Sequence, residues 1–513
     1  MKFLLLFFLI NAIHGYKILL LMPSASKSHT HVTKPIISEL AKRGHHITVV
    51  SSYTFPKPIQ NVREIVPKPM IEDFSMFAKQ VFAAAGTHVI PVFLSYKFLL
   101  GPTCENYLTN PEVKELLKQG KQFDLVMVSQ ILNDCALATA PLLGKNIMYF
   151  SASNLVPWLP TSVPQPRSYV PSSLSPYGSK MTFFQRLDNV VSWFGMRLIM
   201  DYIFIPHVQG IIAKHLPENP SVMEARQMVS FAMTNADPVI TSPRPSVPNV
   251  VNVGGMHCKK PNPVPKEFED FIQSSGENGF ILFCLGSNVD SKDIPDEVKE
   301  RIVNALGRLK QHVIWKHEKE LDNCPKNVKI TKWLPQQDIL GHPKIRLFIT
   351  HGGMLSLQES VYNAVPVVAV PLFAEQPGNV ARIEEIGIGV KLLPQNISET
   401  SLYEAVTKVL DDKRYAENVK KYSVVFHDFI ENQVEKAAYW VEYVIRHDGA
   451  HHLRNQGEDM NYIQYFLLDV IVFLLAILIT MSWGSVKLCK IATRKFCSCK
   501  KAKIEKSKEK KEQ

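Results

Sequence analysis

The sequence offers little that would serve a metal or a nucleic acid. Its eight cysteines are scattered, and none shows the paired spacing that holds zinc. Cys489, Cys497 and Cys499 fall in a lysine-rich C-terminal tail. Cys104, Cys135, Cys258, Cys284 and Cys324 are odd in number, and spacing assigns no disulfide among them. Net positive charge is also small outside one place. The net charge is +11, but 11 Lys and Arg against three Glu from Gly484 onward carry +8 of it. A basic face for nucleic acid is thereby excluded, because the charge belongs to a tail. Long apolar runs are few. Phe183 to His215 is apolar and reads as helix, yet Arg186, Asp188, Arg197 and Asp201 interrupt it, which excludes a membrane span there.

What is present points to a large anchored globular protein. With 513 residues, 46% hydrophobic and 20% charged, the chain can bury two cores and is not disordered. Residues 1–15 combine one Lys, an apolar centre and a small residue before Tyr16, the pattern of a secretory signal peptide. Ile463 to Trp483 is long enough to cross a bilayer. The basic residues beyond it hold the tail in the cytosol by the positive-inside rule. A single-pass type I membrane protein follows, with its bulk lumenal, a transmembrane helix over 461–483 and a basic tail over 484–513. Lys510 and Lys511 have the spacing of a dilysine retrieval signal, so the expected location is the endoplasmic reticulum membrane. Asn396-Ile397-Ser398 is a glycosylation sequon.

Between these ends, strands and helices alternate. Tyr16 to Met22 reads as a buried strand, Pro23 to Thr30 as a polar turn, Val32 to Lys42 as a helix and Ile47 to Val50 as a strand. The same order recurs at Phe123–Val128, a helix near Cys135–Leu143, and Asn146–Phe150. Helices are expected over 72–85 and 111–119, and a loop over 154–180. Seven prolines between Pro238 and Pro265 mark a linker. A second alternating region starts with the strand Phe280–Leu285 and a helix from Pro295 to Lys310, and it ends with helices over 398–411 and 413–445. The fold class is α/β: two doubly wound domains, 16–237 and 266–460, joined by 238–265.

The chemistry concentrates in Trp333 to Gln376. Arg346 to Thr350 is a short strand, His351-Gly352-Gly353 breaks it, and Leu355 to Tyr362 reads as helix. A strand, a glycine turn and a helix N-terminus make a phosphate site, because the glycines admit the ligand and the first-turn N–H groups face the anion. Ser356 and Glu359 share one helix face, a hydroxyl for phosphate and a carboxylate for a ribose diol. Trp333 offers a flat ring for a base. Glu375 and Gln376 suit sugar hydroxyls.

In order, these residues resemble the signature of the UDP-glycosyltransferases, the family that includes animal UDP-glucuronosyltransferases. The likeness runs through WLPQQDILGHP, FITHGG, the Glu of LQE and Pro371 to Asn379, and extends to VGGMHC (253–258) and LGSN (285–288). The resemblance implies a twin-Rossmann GT-B fold with a C-terminal transmembrane helix. It implies that Trp333 stacks on uracil, that Gln336 lies near base and ribose, and that His351, Gly353 and Ser356 hold the diphosphate. It assigns Glu359 to the ribose and Glu375 with Gln376 to the sugar, and it adds Ser287 to the UDP-sugar set. Leu355 departs from the Asn of many members.

The same resemblance places a catalytic His at His29, as the base for the acceptor hydroxyl. A single displacement inverts the anomeric centre, and a UDP leaving group requires no metal or other cofactor if donors neutralise its charge. The orienting Asp of many members is Ser129 here, and Asp134, five residues on, is the candidate substitute. Members that use UDP-glucuronic acid commonly carry an Arg where this chain has Asn235, so a neutral sugar, glucose, is expected. UDP-glucuronic acid is the alternative donor. A catalytically weak binder of UDP-sugar or lipophiles is the alternative of another class. The apolar stretch 183–212 with Phe74, Phe77, Phe93, Tyr96 and Trp158 suggests a small lipophilic acceptor. The expected partners are a UDP-sugar, that acceptor and a membrane, without nucleic acid; self-association is left open.

Overall fold

The computed structural model describes residues 15–24, 26–67, 89–154, 164–172, 174–286, 294–319, 321 and 324–509. Ser287, Phe74, Phe77, Trp158, Lys510, Lys511 and the helix expected over 72–85 lie outside them. The chain divides into a unit ending at Arg454 and a second from Asn455.

The first unit is built on two parallel sheets. One contains β1 (Lys17–Met22), β2 (His46–Ser51), β3 (Val62–Ile65), β4 (Phe123–Ser129), β5 (Gly144–Ser151), β6 (Val229–Thr234) and β7 (Val250–Asn252), in the order 3-2-1-4-5-6-7. The other contains β8 (Phe280–Cys284), β9 (His312–Lys316), β10 (Val328–Thr331), β11 (Ile345–Thr350), β12 (Val367–Ala369) and β13 (Gly389–Lys391), in the order 10-9-8-11-12-13. In each, the order reverses between the first strand and the fourth, where doubly wound sheets bind ligands. The strands read as continuous apolar runs because both faces are covered. Leu19, Leu21, Val126 and Val128 feed one core and Ile18, Leu20, Leu125 and Met127 the other, the period-two alternation of neighbouring strands.

Helices close both faces. Those used below are α1 (Lys27–Lys42), α2 (Lys97–Thr109), α3 (Asp134–Leu143), α4 (Phe183–Ile199), α5 (Ile205–His215), α6 (Gln336–Leu340), α7 (Met354–Tyr362), α8 (Gln376–Glu385), α9 (Lys413–Ile430) and α10 (Gln433–Arg446). Three boundaries differ from the sequence reading. First, α1 begins at Lys27, so His29 lies in a helical first turn and not in the expected loop. Second, the proline-dense stretch is not all linker. Val250–Asn252 pairs with β6, and Val239 and Ile240 are buried in the second core, because prolines between short apolar triplets still leave room for an edge strand. Third, the helix expected over 413–445 breaks at Asn432, whose φ of 63° is left-handed. The break turns α10 back onto the first domain. There Ala437, Ala438, Val441 and Val444 join the first-sheet core, Trp440 stacks on Phe231, and Glu442 meets Arg43 at 3.3 Å and His45 at 3.1 Å. The last helix of the globular unit therefore belongs with the first sheet.

In the second unit, Leu467 has φ of 53° and follows a short turn of helix, and the long helix α11 runs Leu468–Glu509, starting later than Ile463. Within Leu468–Ile504 an apolar stretch is long enough to cross a membrane, and the helix continues from it into the basic tail.

Spacing left the cysteines unassigned, and the structure joins two of them: Cys104 on α2 and Cys135 on α3, 31 residues apart. Closing a loop of that length removes unfolded-state entropy worth about 3–4 kcal/mol. Cys104→Ser is expected to lower the thermal unfolding midpoint by several degrees, and reductant should shift the parent toward the variant but leave the variant unmoved.

Candidate active site

The site is assembled where the second sheet reverses order. β11 leaves into His351-Gly352-Gly353 and then α7. Gly352 has φ of 78° and Gly286, after β8, has φ of 87°, both in the left-handed region that glycine enters without strain. The two glycines that flank the His351 ring are needed for a second reason. A Cβ on Gly286 would lie 2.7 Å from the ring, and one on Gly353 would lie 2.5 Å from it. No other residue fits on either side. The ring is thereby wedged into the turn with its Nδ1 enclosed and unpartnered. Burial pushes its pKa down to about 4, and the nearby Lys316 pushes in the same direction, so the ring is neutral. The N-cap Gly353 of α7 supplies no side-chain cap; the Met354 N–H is taken by Glu375, which leaves the later first-turn N–H groups for an anion.

Lys316 escaped the sequence reading. It ends β9, and its Nζ donates to the Gly286 carbonyl at 3.3 Å while pairing with Glu318 at 2.7 Å. A cation thus stands beside the glycine turn. The signal was its place at the carboxyl end of the strand next to β8, which a reading centred on 333–376 passes over.

Around α7, the expected nucleoside set converges. Gln336, at the start of α6, donates through Nε2 to Ser356 Oγ at 3.2 Å and to Glu359 Oε2 at 2.6 Å. Glu359 is buried, and burial raises its pKa to about 7 against the opposing hydrogen bonds of Gln336 and Gln337. On its other side His257 Nε2 lies 3.6 Å from Oε1 and 3.3 Å from the Leu355 carbonyl. The Leu355 carbonyl can only accept, so that nitrogen carries the proton. Burial lowers the His257 pKa to about 3, with His31 adding to the effect, so the imidazole is neutral. Trp333 stands 69% exposed at the mouth of this group, with its ring free to be stacked upon.

Glu375 and Gln376 follow β12. Gln376 Oε1 accepts from the Leu372 and Phe373 N–H groups at 2.8 and 3.1 Å, which shapes the turn and leaves Nε2 as a donor. Glu375 is pushed up by burial and held back by its own N–H and that of Met354. Beyond it lies an apolar chamber lined by Phe93, Tyr96, Leu100, Leu132, Met200 and Phe204, with Glu375 and Asp134 also in its wall. Here α2 and the α4–α5 stretch of the first domain meet the 374–375 turn of the second.

His29 lies at the carboxyl end of β1, half-buried, with Nδ1 enclosed and unpartnered. Burial lowers its pKa to about 4. Asp134 is not brought to it. Asp134 is buried and bonded to Arg226 at 2.8 Å, and Arg226 also meets Asp201 at 3.6 Å. A buried guanidinium needs that partner, so Asp134 serves the core ion pair.

Asn235 is likewise not at a sugar-facing surface. It is fully buried, and its Nδ2 donates to the Ala152 carbonyl at 3.0 Å and to Gln358 Oε1 at 3.1 Å. Its Oδ1 accepts from Gly255 N–H at 3.1 Å. Every polar group of the side chain is engaged in the seam between the domains. Counting back along the sequence carries no information about this burial.

Two doubly wound parallel domains, with a glycine turn, an uncapped helix N-terminus and a buried carboxylate at the switch point of the second, define a nucleotide-sugar glycosyltransferase of the GT-B fold. Solved structures agree at the level of fold. The calicheamicin glycosyltransferase CalG4 matches with a TM-score of 0.52 at 19% identity, over 84% of this chain and 99% of that one. A UDP-glucose: anthocyanidin 3-O-glucosyltransferase in complex with UDP matches with a TM-score of 0.57 at 14% identity, over 85% and 99%. The family model of UDP-glucoronosyl and UDP-glucosyl transferases matches residues 17–503, and the chain belongs to that family. UDP-glucuronosyltransferase 1A1 of Homo sapiens is 34% identical over 512 residues, 96% of this chain and 94% of that protein. UDP-glucosyltransferase 2 of Dactylopius coccus is 32% identical over 506 residues, 96% of each. The protein is a UDP-glycosyltransferase.

The raised Glu359 carboxyl makes a pH prediction. Its folded pKa of about 7 exceeds the ordinary 4.5, so the folded state holds the proton more tightly than the unfolded chain. Stability is then full below about pH 4.5, falls as pH rises to about 7, and is level beyond. Glu359→Gln is expected to stabilise the protein at pH 8 by on the order of 1–3 kcal/mol and to do almost nothing at pH 4.5. Thermal unfolding across that range, in detergent, is the check.

Proposed function

We propose that the protein transfers glucose from UDP-glucose to a hydroxyl of a small lipophilic acceptor, with inversion at the anomeric carbon. The observation that carries this reading is the chamber at Glu375. Its wall is apolar, its two ionisable carboxyl residues are Glu375 and Asp134, and no Lys or Arg lines it among the described residues. A sugar carboxylate placed there would meet Glu375 and find no cation beyond Arg226, which Asp134 already engages, whereas an uncharged sugar edge and an apolar acceptor group suit it.

In the proposed complex, Trp333 stacks on uracil, Glu359 and Gln336 accept and position the ribose, and the diphosphate lies on the α7 N-terminus beside His351 and Ser356. Glu375 and Gln376 Nε2 take sugar hydroxyls. As the anomeric bond breaks, the α7 N–H groups and Lys316 stabilise the charge gathering on the diphosphate, so this reading needs no metal. His29, neutral at cellular pH, takes the acceptor proton as the new bond forms. The diphosphate's negative charge favours the imidazolium that results. The Cys104–Cys135 disulfide and the apolar α11 support a lumenal globular unit on a type I anchor in the endoplasmic reticulum membrane.

A glucuronosyl donor is the second reading, favoured by the names of several relatives, UDP-glucuronosyltransferase 1A1 among them. A UDP-sugar or lipophile binder is the third, favoured by the engagement of Asp134 away from His29. Membranes carrying the protein, given a fluorescent phenol with either donor, separate all three. The expected product is the glucoside, with His29→Ala lowering turnover by about two to four orders of magnitude. A glucuronide would overturn the neutral-sugar reading and keep the transferase. UDP binding with no product from either donor would favour the binder.

A further inference from the structure

His257 stands where the turn after β7 meets α1, α6 and α7, and the proposed transfer leaves it without a task. Its side chain is fully buried. Gly255, two residues earlier, has φ of 83° and donates its N–H to Asn235 Oδ1 at 3.1 Å, which ties the turn to the seam between the domains. Gln337 on α6 clasps the other end. Its Nε2 donates to the His257 carbonyl at 3.1 Å, and its Oε1 accepts from the Lys259 N–H at 3.1 Å. From α1, the His31 ring packs edge-on against the His257 ring, with 5.9 Å between centroids. An imidazole whose backbone is held on both sides, and whose ring is braced, has little freedom to turn.

That orientation aims Nε2–H between two acceptors. The Leu355 carbonyl is at 3.3 Å and Glu359 Oε1 at 3.6 Å, so the proton bonds the carbonyl and stops just short of the carboxyl. Cys258 Sγ, 3.8 Å away, is only a weak acceptor. The other carboxyl oxygen, Oε2, takes Gln336 Nε2 at 2.6 Å. Adjacent residues of α6 therefore control both oxygens of Glu359. Gln336 acts directly, and Gln337 acts through the turn that carries His257. Nδ1 of His257 is enclosed and unpartnered, so the ring has one donor to give.

We infer that His257 is a positioning residue for the donor nucleotide. It holds the Glu359 carboxyl in the rotamer that accepts the ribose diol, and its N–H closes onto Oε1 when the diol binds. A carboxyl that accepts from two hydroxyls is ionised, and a bond from N–H to an ionised oxygen is shorter and stronger than one to a carbonyl. A shift of about 0.5 Å completes it. The inference rests on the assignment of Glu359 to the ribose.

The test uses the full chain in nanodiscs and compares UDP with 2′,3′-dideoxyuridine diphosphate, which lacks the diol. Dissociation constants are measured by calorimetry for the parent, for His257→Leu, which keeps the bulk without the donor, and for His257→Gln, which keeps an N–H at similar reach. His257→Leu is expected to weaken UDP by about tenfold or more and to change the dideoxy ligand by less than about twofold, with His257→Gln recovering most of the UDP affinity. If His257→Leu does not fold, His257→Asn, whose amide is too short to reach Oε1, takes its place with the same expectation. A donor-less variant that weakens both ligands equally, or neither, would overturn the inference and leave the ribose assignment standing. A parent that binds the two ligands alike would overturn that assignment and the inference with it.

Discussion

Two amide side chains hold the functional geometry together. Asn235 follows the last long strand of the first sheet, Gln358 sits in the middle of α7, and both are fully buried. Gln358 Nε2 donates to the Asn235 carbonyl at 2.9 Å and to Asp237 Oδ2 at 2.8 Å, and Asn235 Nδ2 returns a bond to Gln358 Oε1 at 3.1 Å. Asp237 in turn accepts from the Val239 and Ile240 N–H groups, fixing the turn that enters the second domain. Such a network has no partial form. Loss of one partner leaves the others buried and unpaired at about 1–3 kcal/mol each. Because α7 carries the glycine turn at one end and Glu359 one residue after Gln358, the seam sets how the donor cradle meets the first domain. The return of α10 onto the first sheet closes the same joint from the far side.

The ionisable groups of the cradle share one feature. His29, His257 and His351 are held neutral by burial, and Glu359 and Glu375 are pushed up by it. This is the electrostatics of a dry cleft, in which a doubly charged diphosphate would gain more from α7 and Lys316 than it could in water. The cost is carried by the fold. A neutral imidazole wedged between glycines and a carboxyl titrating near neutrality are carried on sheets whose faces are covered by extensive apolar clusters.

Most of the fold was legible from alternation. Apolar strands of five to seven residues, punctuated by glycine and helix, can form little other than covered parallel sheets, and both sheets have the expected order of reversal. The pairing of Ser356 and Glu359 was legible because spacing on one helix face is a geometric statement, whereas Gln336, on α6, came from the family resemblance. What escaped depends on contacts between distant segments. Asn235 reads in sequence as an uncharged surface position, yet it is buried against Gln358, 123 residues away. Asp134 was a reasonable substitute acid until Arg226 claimed it. The Cys104–Cys135 bond, the turn-back at Asn432 and the cation at Lys316 belong to the same class, in which local pattern carries no information about the partner.

The central claim is that UDP binds at the N-terminal end of α7, between Trp333 and Glu359, with the glycine turn holding its phosphates. Hydrogen–deuterium exchange of the full chain in nanodiscs, with and without UDP, tests it most directly. The account predicts slowed exchange confined to the 333–337 segment, the 351–359 segment and Gly286, with little change in the first-sheet strands. Unchanged exchange across 351–359 at saturating UDP, or protection centred on the first domain, would contradict it.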